Sequence, residues 1–168
     1  MSRADEDGYD DFFLTLLPGV NRVALRLVGD LPTAEDVVAE AFARAFASWG
    51  RVSRLSYRDA WLMRVATNLA LDAVKRRPTP LLHPRHSSDP ADEVVGRLVL
   101  TEALKALPKR QRQAVVMRYL ADLPEEEVGE ALGVSPGTVK AHLHRGREAL
   151  SKHLDINPED IEYGTHPA

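Results

Sequence analysis

The chain contains no cysteine, which excludes disulfides, thiolate metal sites and a cysteine nucleophile. No apolar run approaches the ~18 residues of a membrane span, so membrane insertion is not expected. Alternating strand patterns are missing, and aromatics make up only 6% of the chain. The opening "MSRADEDGYDD" is acidic and lacks an apolar centre, so it does not read as a secretory signal. These absences fit a cytoplasmic protein. Net charge is also scarce, at −3 over 168 residues.

That small net charge hides segregation. Residues 1–50 carry 4 basic and 9 acidic side chains, whereas 51–77 carry 7 basic and 2 acidic. Residues 105–153 are basic again, 9 against 6, and 154–168 hold 4 acidic and no basic residues. Two cationic patches among acidic segments point to two contacts with a polyanion and an acidic remainder that meets something else.

Helical periodicity runs through most of the chain. "VNRVALRLVGD" spaces Val20, Val23, Ala24, Leu27 and Val28 on one side and ends at Gly29. "PTAEDVVAEAFARAFASW" begins with Pro32 and Thr33, places Glu35 and Asp36 in its first turn, and repeats Val37, Val38, Ala41, Phe42 and Ala45. "VSRLS" reads as a short connector, and "YRDAWLMRVATNLALDAVKRR" follows as a long helix that Pro78 and Pro80 stop. The proline-rich 78–95 reads as a flexible linker. Four helical segments on each side of it give an all-α fold of two small domains, 1–77 and 96–154, with an acidic tail at 155–168.

"ALGVSPGTVKAHLHRGREAL", residues 131–150, reads as a helix-turn-helix. Gly133 stands where a left-handed cap is needed, and Ser135 then Pro136 open the next helix. Val139, Leu143, Gly146 and Leu150 share one face of that helix. The opposite face holds Gly137, Lys140, Ala141, His144, Arg145 and Glu148, small at its start and cationic beyond, as a helix end entering the major groove requires. Ser135 and Thr138 are placed for phosphate contacts. An ordinary helical hairpin with a solvated face is the competing reading. Glu125, Glu126 and Glu127 oppose tight DNA binding by this half alone.

"LPKRQRQAVVMRYLADLPEEEVGEALGVSPGTVKAHLHRGREAL" resembles the C-terminal DNA-binding domain of bacterial RNA polymerase sigma factors. "ALRLVGDLPTAEDVVAEAFARAF" and "WLMRVATNLALDAVKRR" resemble the core-binding and promoter-melting helices of the same family. Their order, with the proline-rich join, is similar to the small extracytoplasmic-function (ECF) group. The resemblance implies that Asp36, Glu40 and Phe42 bind core RNA polymerase. It implies that Arg54, Arg58, Trp61, Asn68, Lys75, Arg76 and Arg77 serve the minus-ten element of promoter DNA. Core packing is the competing use for Trp61. It further implies that Arg112 joins Ser135, Gly137, Thr138, Lys140, Ala141, His144 and Arg145 at the minus-thirty-five element.

An anti-sigma factor is the further partner the family implies. No cofactor and no metal are expected: His142 and His144 are two apart on a helix and diverge, and His83 and His86 lack a ligand set around them. No nucleophile accompanies Glu35, Asp36 and Glu40, so the chain does not read as an enzyme. A stand-alone helix-turn-helix regulator is the alternative function.

Overall fold

The computed structural model describes residues 3–76 and 90–157. Eight α-helices, and no strands, occur among these residues. In the N-terminal half, α1 spans Arg3–Val28, α2 Leu31–Ala47, α3 Trp49–Val52 and α4 Arg58–Lys75. In the C-terminal half, α5 spans Pro90–Ala106, α6 Lys109–Val115, α7 Glu125–Leu132 and α8 Pro136–Leu154. A π-helical turn, Val116–Leu120, continues α6.

Local chemistry fixes the ends. Gly29 takes φ 83° after α1, a conformation glycine reaches without steric cost. The Asp30 carboxylate accepts the Thr33 amide at 3.0 Å and caps α2. The helix therefore starts earlier than the sequence indicates, and Glu35 and Asp36 lie beyond its first turn. The one-turn α3 precedes the stretch read as a connector and shares only Val52 with it. Backbone from Pro90 onward is already helical, so 90–95 belong to α5 rather than to a linker. Proline's fixed φ suits a first helical turn. The rest of the predicted linker, and the tail beyond 157, lie outside the described residues.

α1, α2 and α4 pack together around Val23, Ala24, Leu27, Val38, Ala41, Leu62, Ala66 and Ala70, all buried. An aromatic cluster closes one end. Tyr9 meets Trp49 edge-on at 5.3 Å, and Phe13 meets Phe42 at 4.6 Å. Tyr9 also donates its hydroxyl to the Phe42 carbonyl at 2.9 Å.

In the second half, α8 packs on α5, α6 and α7. Two glycines permit the approach. A Cβ on Gly146 would stand 2.6 Å from Val115 Cγ2, and one on Gly129 would stand 2.9 Å from the Val134 carbonyl. The two halves also meet: α4 lies against α5, α6, α7 and the π turn, and α1 against α5. The loose tether expected from sequence is thus accompanied by a packed joint between the domains.

Candidate nucleic-acid interface

The helix-turn-helix forms as the residues dictate. Gly133 caps α7 with φ 68°, and Val134 donates its amide to the Gly129 carbonyl at 3.0 Å. Ser135 Oγ accepts the Thr138 amide at 3.2 Å and lies 2.9 Å from the Thr138 hydroxyl. Pro136 follows at the first helical position.

Val139, Leu143, Gly146 and Leu150 are buried, so the rotation of α8 is fixed. The opposite face is open. Ser135, Gly137, Lys140, His144 and Arg145 are exposed, and Thr138 and Ala141 half-buried. Lys140 has only a long approach to Glu125, 4.0 Å, with 72% of its side chain exposed. His144 lies 3.8 Å from Glu148. Such exposed pairs contribute little and leave both side chains free to turn toward an anion.

Arg112 was expected beside the open face of α8. It is 7% exposed and donates to the Lys105 carbonyl at 3.3 Å, while its Nε has no partner. α6 is enclosed by α8 and α4, so Arg112 supports the join to α5 and does not stand on the open face of α8.

The second cationic face lies along α3, the following turn and α4. Arg54, Arg58, Lys75 and Arg76 are exposed. Arg58 approaches Asp59 at 3.7 Å and lies 5.9 Å from the Phe12 ring centre. Trp61 is 8% exposed and lies in the core, the use that competed for it, with Arg51 6.0 Å over its ring. It does not stand open to a base. Asn68 is half-buried and accepts Gln113 Nε2 at 2.8 Å. Arg77 lies outside the described residues.

On α2, Asp36 and Glu40 are exposed, and Glu40 pairs with Arg44 at 2.7 Å. Phe42 was expected among the core-polymerase contacts. At 3% exposure it fills the aromatic cluster against Phe13. Sequence reading missed the exposed apolar residues Leu31 and Phe46 at the two ends of α2. Phe46 stands off the Val37–Ala41–Ala45 stripe and gave a signal, whereas Leu31 falls between Val38 and Phe42 by angle and is exposed because it begins the helix. Acidic groups and uncovered apolar surface on one helix suit a protein partner better than a polyanion.

Among the described residues no group of three or more His, Cys, Asp or Glu could hold a metal, and no helix is long and apolar enough to cross a membrane.

Each half of the chain matches a known family description. Residues 12–78 match the family description "Sigma-70 region 2", and residues 97–150 match "Sigma-70, region 4". The chain is 30% identical to the ECF RNA polymerase sigma factor SigW of Bacillus subtilis over 92% of each chain. Its fold is similar to the sigma factor RpoE solved with the anti-sigma factor NepR from Bartonella quintana: TM-score 0.61, 21% identity, 89% of this chain and 98% of that one. It is also similar to CnrH solved with the cytosolic domain of CnrY, with TM-score 0.64, 21% identity, and coverage of 88% and 87%.

Proposed function

Because the chain belongs to the ECF RNA polymerase sigma factors, we propose that its surfaces divide promoter recognition between them. The chain is an alternative sigma factor directing promoter-specific transcription. In our reading α8 lies in the major groove of the minus-thirty-five element, with Lys140 and Arg145 reaching base edges and phosphates. Arg54, Arg58, Lys75, Arg76 and Asn68 take the strand and duplex edge at the minus-ten element. Opening each base-pair step costs roughly 1–2 kcal/mol, which a cationic path for the freed strand offsets in part.

Core polymerase docks on α2 through Asp36 and Glu40, with Leu31 and Phe46 adding apolar contact. An anti-sigma factor is a further partner, since the similar fold of RpoE was solved with one. The chain acts where polymerase acts, in the cytoplasm, and performs no catalysis of its own. The stand-alone regulator is not favoured, because both halves match sigma regions.

The observation that carries this reading is the open, cationic face of α8 held by a buried seam behind it. Run-off transcription with purified core polymerase on a promoter library tests it. Selective initiation at promoters sharing two spaced elements is expected; initiation without selectivity would overturn it.

A further inference from the structure

Positive charge gathers beside the seam of the two halves. A cleft of about 330 Å³ lies between α4 and α6, lined by Arg64, Val65 and Asn68 from one and by Lys109, Arg110 and Gln113 from the other. The lining holds three cations and no carboxylate. Among the described residues none of the three forms an ion pair. Arg64 gives one Nη1 donor to the Ala131 carbonyl at 2.7 Å, and Arg110 gives one to the Leu132 carbonyl at 3.1 Å. Each guanidinium has further N–H donors, and the Lys109 ammonium is exposed.

A second, independent feature sits in the same lining. Gln113 is 2% exposed. Its Nε2 donates to Asn68 Oδ1 at 2.8 Å, while its Oε1 is buried with no hydrogen-bond partner among the described residues. A buried acceptor left unpaired is costly and calls for a group that brings a donor. The cleft thus combines surplus positive charge with an unmet acceptor. A fully ionised anion answers only the first demand. An anion that keeps one proton answers both.

We propose that this cleft binds a small molecule bearing a diphosphate group, held by Arg64, Lys109 and Arg110 and donating one phosphoryl O–H to Gln113 Oε1. The volume exceeds a single phosphate and lies at the lower end of ligand pockets, roughly 300–1,000 Å³. Separated cations on two helices suit a chain of phosphoryl groups, and a guanidinium fork takes two oxygens of one group. The last proton of a phosphoryl group leaves near pH ~6, so neutral solution retains part of the donor. Because the ligand touches α4 and α6 together, its binding is coupled to how the halves are arranged. The site goes beyond promoter and polymerase contact and uses neither.

Isothermal titration calorimetry of the full chain tests the site, with inorganic diphosphate, a nucleoside diphosphate, inorganic phosphate and sulfate as probes at matched ionic strength. One diphosphate per chain is expected, bound at least about tenfold tighter than phosphate or sulfate. The tighter of the two diphosphate probes shows whether the group is free or carried on a nucleoside. Lys109→Gln, at an exposed position, should weaken diphosphate about tenfold. Gln113→Glu keeps the side chain's shape and turns the acceptor into an anion, so it should abolish binding. Lys152→Gln, an exposed cation on α8 outside the cleft, should leave affinity unchanged. Thermal melting of each variant checks its fold, and diphosphate should raise the parent's melting temperature.

Equal affinity for diphosphate, phosphate and sulfate overturns the proposal, because it reduces the effect to charge screening. So does diphosphate binding that Lys109→Gln leaves unaltered, or that Lys152→Gln weakens as much. None of these measurements uses DNA or polymerase, so they fail separately from promoter-selective transcription.

Discussion

At the scale of single residues, the sharpest constraints come from side chains that are absent or half-hidden. Gly146 faces Val115 at a distance no Cβ tolerates, so Gly146→Ala must push α8 off α6. A loss of roughly 1–3 kcal/mol in chemical denaturation is expected, with weaker duplex binding following from the displaced helix. Gly146→Ala with unchanged stability would show that α6 and α8 are not in contact. Tyr9 offers a pH readout. Burial first, and the Asp10 charge second, raise its hydroxyl pKa above 10.0. Because the folded value is the raised one, the stabilisation is complete below the unfolded value and is lost as pH climbs through the folded value. Stability should therefore fall in alkali more steeply for the parent than for Tyr9→Phe. The variant should also lose about 1 kcal/mol at neutral pH with the Phe42 carbonyl contact. Parallel pH curves would remove Tyr9 from the account.

At the scale of elements, α8 and α2 present opposite chemistries on the same architecture. Lys140→Ala with Arg145→Ala leaves the buried seam of α8 untouched and removes two cations from its open face. The slope of log affinity against log salt should fall by about 2, with core binding intact. An unchanged slope would place duplex contact elsewhere. On α2, Asp36→Lys reverses an exposed charge and should weaken core polymerase binding about tenfold while sparing duplex affinity, as titration of each partner would show. α8 was legible because its cap, its glycine stop and its apolar period all agree. α6 was not. It buries consecutive residues from Arg112 to Val115, since neighbours enclose it on more than one side, and periodicity then no longer separates inside from outside. That is why Arg112 read as a surface cation.

At the scale of the whole molecule, local signals and long-range packing part company. Capping residues, helical repeats and segregated charge act within a few turns of chain, so the sequence by itself determined an all-α fold, two halves in order, and which helix faces are cationic or acidic. Burial of Phe42 and Trp61 was compatible with that pattern, but only their packing against Phe13 and under Arg51 shows them removed from the surface. The joint between the halves has no local signature at all. Arg64 and Ala131 are 67 residues apart, and Asn68 and Gln113 are 45 apart. Both contacts use polar groups that would serve equally well in solvent. Only the tertiary structure decided that α4 is covered while α8 stands open, because contacts between distant segments depend on how whole helices are brought together rather than on any residue's neighbours in the chain.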